Sequence, residues 1–149
     1  MSNVCRDRSL CAEGKKADFR AFTRVLNGLK QSPWKLGGVL AIADRNLHHF
    51  FNREDLAQYR KLEEKGIIRE TPIADDLLIA YAFEEGTGAS GGVIVSMDGF
   101  ADFRPQYPEI QGSTDRFIGW KVTSSAQVRL FYRDMGVFTH QKISRKVEE

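Results

Sequence analysis

Two short stretches of the chain carry carboxylates where chemistry on a polyanion would need them. The first is Ala74-Asp75-Asp76-Leu77-Leu78, a pair of acids at the start of an apolar segment. The second runs from Val93 to Asp102, with Asp98 just past a β-branched run and Asp102 four positions further on. If the chain turns helical after Ser96, Asp98 and Asp102 share a face. Hard divalent cations such as Mg²⁺ take oxygen ligands and keep several waters, so a few converging carboxylates suffice to hold one. Such an ion polarises a phosphodiester and lowers the pKa of an attacking water. Each acid also has a plainer reading. Asp75 suits a helix N-cap or first turn, where its charge meets the positive end of the helix dipole. Asp102 alone suits solvated surface, and it is the combination that points to a site.

The elements that must hold these acids are legible from periodicity. Phe19, Phe22, Val25, Leu26 and Leu29 fall at helical spacing between Asp18 and Leu29. Pro33 and Gly37-Gly38 end that helix, and Val39 to Ala43 reads as a buried strand. Asn52 is a suitable N-cap for a second helix with stripe Leu56, Tyr59 and Leu62 and C-cap Gly66. Ile67-Ile68 opens a short strand that stops at Pro72, and a third helix, apolar enough to be buried on most sides, spans about Asp75 to Phe83. Val93 to Val95, Phe117 to Val122 and Val128 to Tyr132 read as strands. Alternating strands and helices predict one domain over residues 1–149, an α/β fold with a mainly parallel sheet. Ligands in such sheets gather at the carboxyl ends of the strands.

Bulk properties narrow the function classes. The 149 residues suffice for one core, and no apolar run approaches the ~20 residues that span a bilayer. The charged N-terminus, Met1 to Arg8, lacks the apolar stretch of a signal peptide. A cytoplasmic location with no membrane partner is expected. Cys5 and Cys11 are spaced neither as a zinc knuckle nor as a disulfide framework, and His48, His49 and His140 are too scattered for a zinc site. The net charge of +2 hides a pattern. Residues 1–35 hold eight basic residues against three acids, residues 36–115 seven against fourteen, and residues 116–149 seven against three. An acidic middle between basic ends suits a metal site offered to a polyanion.

From Val39 to Phe103, and again at its start, the chain resembles the NYN/PIN domains of the regnase-type endoribonucleases, which accompany CCCH zinc fingers. The motifs that carry the resemblance are Glu63-Glu64-Lys65-Gly66-Ile67-Ile68, Thr71-Pro72, Asp75-Asp76 and Ile94-Val95-Ser96-Met97-Asp98, followed by Asp102. Each is short, and their order and spacing agree with the family. The resemblance implies a three-layer PIN-like fold and a Mg²⁺- or Mn²⁺-dependent endoribonuclease. Its metal ligands would be Asp75, Asp76, Asp98 and Asp102, with Asp76, Asp98, Asp102 and Asn3 carrying catalysis. Two positions depart from the family pattern. Met97 stands where the family has Asn, and Met1-Ser2-Asn3-Val4 matches only the last part of the Asp-Gly-x-Asn motif that closes the family's first strand. The matching Asp would lie immediately before Met1. Either the first strand is truncated here, or the chain lacks it together with one ligand.

Arg6, Arg8 and Arg45 are the basic residues best placed to hold RNA phosphates. His48-His49 with Phe50-Phe51 can stack bases, although two phenylalanines in a loop more often pack beneath it. Gly86 to Gly91 formally matches GxGxxG, but a helix precedes it and a strand follows, the reverse of a dinucleotide-binding turn. Three functional readings stand: a metal-dependent hydrolase of single-stranded RNA, a non-catalytic NYN-like module that binds RNA, and an Asp-based phosphatase with Asp44 as nucleophile. The assembly, monomer or homodimer, is open.

Overall fold

The computed structural model describes residues 1–34, 38–84 and 92–136. The chain opens on a short helix, α1 (Ser2–Arg6), which buries Val4 and Cys5. Helix α2 (Phe19–Gln31) follows, its buried face formed by Phe19, Phe22, Val25 and Leu29. Its start is fixed by Asp18, whose side chain accepts from the Arg20 amide as an N-cap. Strand β1 (Ala41–Asp44) comes next, then α3 (Arg53–Glu64), capped as expected by Asn52 accepting from the Asp55 amide at 2.8 Å. Gly66 sits just past α3 with φ +75°, a left-handed position that favours glycine.

Strand β2 (Ile68–Thr71) pairs in parallel with β1, in register from Ala41 opposite Ile68 to Asp44 opposite Thr71. Helix α4 (Ala74–Phe83) leads towards β3 (Ile94–Val95). Strand β3 runs parallel to β4 (Phe117–Val122), and β4 pairs antiparallel with β5 (Val128–Tyr132). Among the described residues the molecule is therefore mixed α/β, with a two-stranded parallel sheet and a three-stranded mixed one. Because successive strand residues face opposite ways, β4 serves two cores. Ile118 and Trp120 join the core of α1, α2, β1 and Tyr59, whereas Phe117 joins Ile79, Ile94, Phe100 and Ile110.

Three details differ from the reading of the sequence. The first strand starts at Ala41 rather than Val39, and Val39 and Leu40 are 36% and 40% exposed. Helix α4 is less enclosed than its composition suggested: it buries Ala74, Ile79 and Ala82, while Leu77 and Leu78 are only half-buried. The third is the turn after β3. Phe100 adopts φ +49°, ψ 40°, and the chain makes only a single 3₁₀ turn at Ala101–Phe103, so Asp98 and Asp102 do not share a helix. The glycine-rich stretch 86–91 lies outside the described residues. No helix among the described residues is long and apolar enough to cross a membrane.

Candidate functional site

The carboxyl ends of β1 and β3 and the first turn of α4 bring three acids into one neighbourhood. Asp44 ends β1, and its Oδ1 accepts from the Ala74 amide at 2.9 Å. It thus caps α4 from a neighbouring strand, because Ile73, the residue at the N-cap itself, has no side chain able to do so. Asp75 lies in the first turn of α4 rather than at its cap. Asp98 follows β3 and accepts from the Phe100 amide at 2.8 Å, closing an Asx-type turn.

Electrostatics ties the three together. Burial pushes the Asp75 carboxyl above its usual range, and the charges of Asp98 and Asp44 push it further, with a smaller rise from Asp76. The Met1 amine acts the other way. Like charges gathered in a half-buried place disfavour ionisation unless a cation compensates them. A cavity of about 80 Å³ adjoins Asp44 and Asp75, lined also by Ser2, Asn3 and Ser96 among others.

The loop that carries Asp98 is held by two arginines that sequence reasoning passed over. Arg133, just beyond β5, donates to the carbonyls of Ser96 and Asp98 at 2.7 and 2.6 Å. Arg104, 3% exposed, donates to the carbonyls of Gly99, Met135 and Gly136 and to the Gln111 side chain. Burial and then the charge of Arg133 depress the Arg104 pKa. Arg133 is likewise depressed by burial, with Asp98 pulling in the opposite direction. Gly119 lies close beneath this loop: a Cβ there would stand 2.7 Å from Met97 Sδ and 2.9 Å from Arg133 Cδ, so those side chains would have to shift. Met97 thus lies over β4, where its sulfur accepts from the Trp120 amide.

The remaining sequence candidates fall around this centre. Asn3 is exposed on α1 and lines the same cavity, one turn before Arg6. Arg6 stands over the ring of Phe50, 5.3 Å from its centroid, and Phe50 is 46% exposed. Phe51, by contrast, packs edge-on against Phe19 and tilted against Tyr59. Arg6, Arg8, Lys15 and Lys16 line a surface hollow together with Glu13, and Lys15 also lies 3.8 Å from Asp18. Arg45 is exposed immediately after Asp44, its amide bonded to the Thr71 carbonyl. Asp76 and Asp102 are both exposed, Asp76 at the start of α4 and Asp102 on the 3₁₀ turn. Asp44 was legible by the same strand-end rule as Asp98, but it entered the sequence reading only as a nucleophile.

The donor chemistry suits a hard divalent cation: carboxylates, one amide and two hydroxyls, with water making up the rest. Among the described residues no group of three or more Asp, Glu, His or Cys is already arranged to ligate one. The two cysteines are free, and burial pushes the Cys5 thiol up to about 12, which keeps it protonated and unreactive. No protein-family model matches the chain, and no curated protein matches it significantly.

Proposed function

We propose that this chain is a PIN-like, three-layer α/β endoribonuclease that cleaves single-stranded RNA with the help of Mg²⁺ or Mn²⁺. The observation that carries the reading is the pressure on Asp75: a half-buried carboxylate crowded by Asp98 and Asp44 at the carboxyl ends of two parallel strands. An acid whose pKa is raised by burial and by specific like-charged neighbours, set beside a cleft, is a functional-site candidate. In this reading Asp44, Asp75 and Asp98 hold the cation, Asn3 orients water beside it, and Asp76 and Asp102 complete the acidic field. Bound there, the cation would polarise the scissile phosphodiester and acidify the attacking water. Arg45 and Arg6 would steady the flanking phosphates, and the Arg6–Phe50 pair offers a face on which a base can stack. Affinity should come mainly from contacts to the phosphate backbone, with a steep salt dependence.

The decisive experiment is incubation of the protein with a labelled single-stranded RNA, with Mn²⁺ or with EDTA. Cleavage that needs the cation and is lost in Asp75→Asn and Asp98→Asn is the expected result. Cleavage that persists in EDTA would remove the cation from the mechanism. A second reading, an RNA-binding module without catalysis, is favoured by one fact: the acids are near one another but not drawn to ligating geometry. Salt-sensitive binding without cleavage would decide for it.

A further inference from the structure

The β4–β5 hairpin has two unlike faces. Residues opposite one another in an antiparallel pair share a face, and successive residues alternate between faces. Ile118, Trp120, Val122, Val128 and Leu130 form the face that packs on the main core, where Leu130 lies against Gly28 of α2. The other face sets Gly119 opposite Phe131 and Lys121 opposite Arg129. This face is open to solvent: Phe131 is 41% exposed, and Lys121 and Arg129 are both exposed. Met97 lies on Gly119, the cross-strand neighbour of Phe131, and is itself 42% exposed. An aromatic ring and a thioether thus stand in solvent beside two cations.

One end of this face reaches the acidic site. Arg133 continues the ladder opposite Phe117, its amide donating to the Phe117 carbonyl at 2.8 Å. Its side chain passes Gly119 and ends on the carbonyls of Ser96 and Asp98. Met97 is the residue before Asp98, so the apolar patch and the acid belong to one loop. The cations lie two residues from Gly119 and Phe131, away from Arg133. Packing does not account for them. Like charges directly opposite one another weaken the pairing of their strands, and no carboxylate among the described residues pairs with Lys121 or Arg129. A polyanion laid across the hairpin would relieve that repulsion.

We infer that the open face of the β4–β5 hairpin is a platform for single-stranded RNA, with Phe131 stacking one base and Lys121 and Arg129 holding the phosphates beside it. Unpaired bases offer planar faces to an exposed aromatic ring, and cations alongside track the backbone. A duplex would bring the phosphates but keep its bases stacked on one another. A second copy of the chain would bring another Lys121 and Arg129 to a patch that already repels itself. The platform is a separate surface from Arg6, Phe50 and Arg45, and it runs towards Asp98 from the hairpin side. The inference rests on the RNA reading above for the kind of polyanion, and it does not depend on the cation.

The test reads binding apart from cleavage. The 149-residue protein is titrated into a fluorescein-labelled oligouridylate of about ten nucleotides in EDTA, and anisotropy gives Kd across a range of KCl. Phe131→Ala should weaken binding about tenfold and leave the salt dependence unchanged, whereas Phe131→Trp should keep wild-type affinity. Lys121→Gln combined with Arg129→Gln should instead flatten the plot of log Kd against log salt by about 1.4, the share of two phosphates on a single strand. All of these side chains are exposed, so melting by circular dichroism should match wild type. An unchanged Kd in Phe131→Ala would overturn the inference, as would the absence of binding by wild type or an equal loss of affinity for a duplex. A dimer mass by light scattering that Phe131→Ala reduces to a monomer would also overturn it and assign the face to a second copy. The nuclease reading fails separately: no cleavage in Mn²⁺, with the differences in Kd intact, would remove the activity and leave the platform.

Discussion

Asp18 and Asp75 are carboxylates set at the beginnings of two helices, and their surroundings are opposite. Asp18 is 1% exposed and fully engaged: Oδ1 accepts from the Arg20 amide at 3.0 Å, Oδ2 from the Ala12 amide at 2.9 Å, and Lys15 stands nearby. Burial alone would raise its pKa, but the two amides and the lysine outweigh it and leave the carboxyl below its usual range. Asp75 meets like charge instead. Burial, Asp98 and Asp44 all raise its pKa, and the amide that opens its helix already belongs to Asp44. A buried acid answered by amides holds an architecture together. One answered by other acids is a standing cost to the fold, of the kind a bound cation removes.

The largest effect should come from breaking the satisfied site. Asp18→Ala removes the α2 cap and strands the Ala12 amide, so a loss of about 2 kcal/mol is expected, or roughly 4–8 °C in Tm. The pH dependence has a definite sign. Because the folded pKa is depressed, the stability that Asp18 gives is present above the carboxyl's unfolded pKa and is lost as pH falls through the folded value. Urea titrations of wild type and variant should therefore converge towards acid. Parallel curves from neutral pH down to pH 2 would show that Asp18 contributes through packing alone.

Asp75 should behave in the reverse sense. With its folded pKa raised, the carboxyl costs stability as pH climbs from the unfolded value through the folded one. Asp75→Asn should then melt higher than wild type at pH 7 in a metal-free buffer, by roughly 2 °C, with the gain vanishing at low pH. Adding Mn²⁺ should cancel the difference from the other side. A ligand at ten times its Kd stabilises by about 1.4 kcal/mol, which should lift wild type by roughly 3–5 °C and leave the variant where it was. Equal shifts in both proteins would place the cation elsewhere.

The same contrast explains what the sequence could and could not tell. Helix α2, the Asn52 cap, the Gly66 exit and strands β4 and β5 follow from local rules, because periodicity and capping act within a few residues. Asp75 and Asp98 stood out for the same reason, each beside a recognisable element. The partners that set their behaviour are remote in sequence. Asp44 reaches α4 across thirty positions, and Arg133 reaches the Asp98 loop across thirty-five. Only the strand pairing brings them close. Strand β1 starts at Ala41 rather than Val39, and Val39 and Leu40 stand partly exposed at a cavity, which no hydrophobic run reveals. The helix expected to align Asp98 with Asp102 is interrupted at Phe100, whose amide is held by Asp98 itself.

The smallest expected effects separate the inner acids from the outer ones. Asp102 is exposed on a 3₁₀ turn and Asp76 is exposed at the start of α4, so neither Asp102→Asn nor Asp76→Asn removes a buried contact. Each should change stability by less than about 0.5 kcal/mol in metal-free buffer. Both should also keep the Mn²⁺-induced rise in Tm, with only a modest loss of affinity as one charge leaves the field around the ion. Asp98→Asn is the matched comparison. It keeps an oxygen that can accept from the Phe100 amide, so the turn survives, but it removes a charge that Asp75 feels directly. That variant should lose the Mn²⁺ shift while folding normally. If Asp102→Asn abolished the shift and Asp98→Asn did not, the cation would belong on the 3₁₀ turn, and the grouping of Asp44, Asp75 and Asp98 as its inner ligands would be wrong.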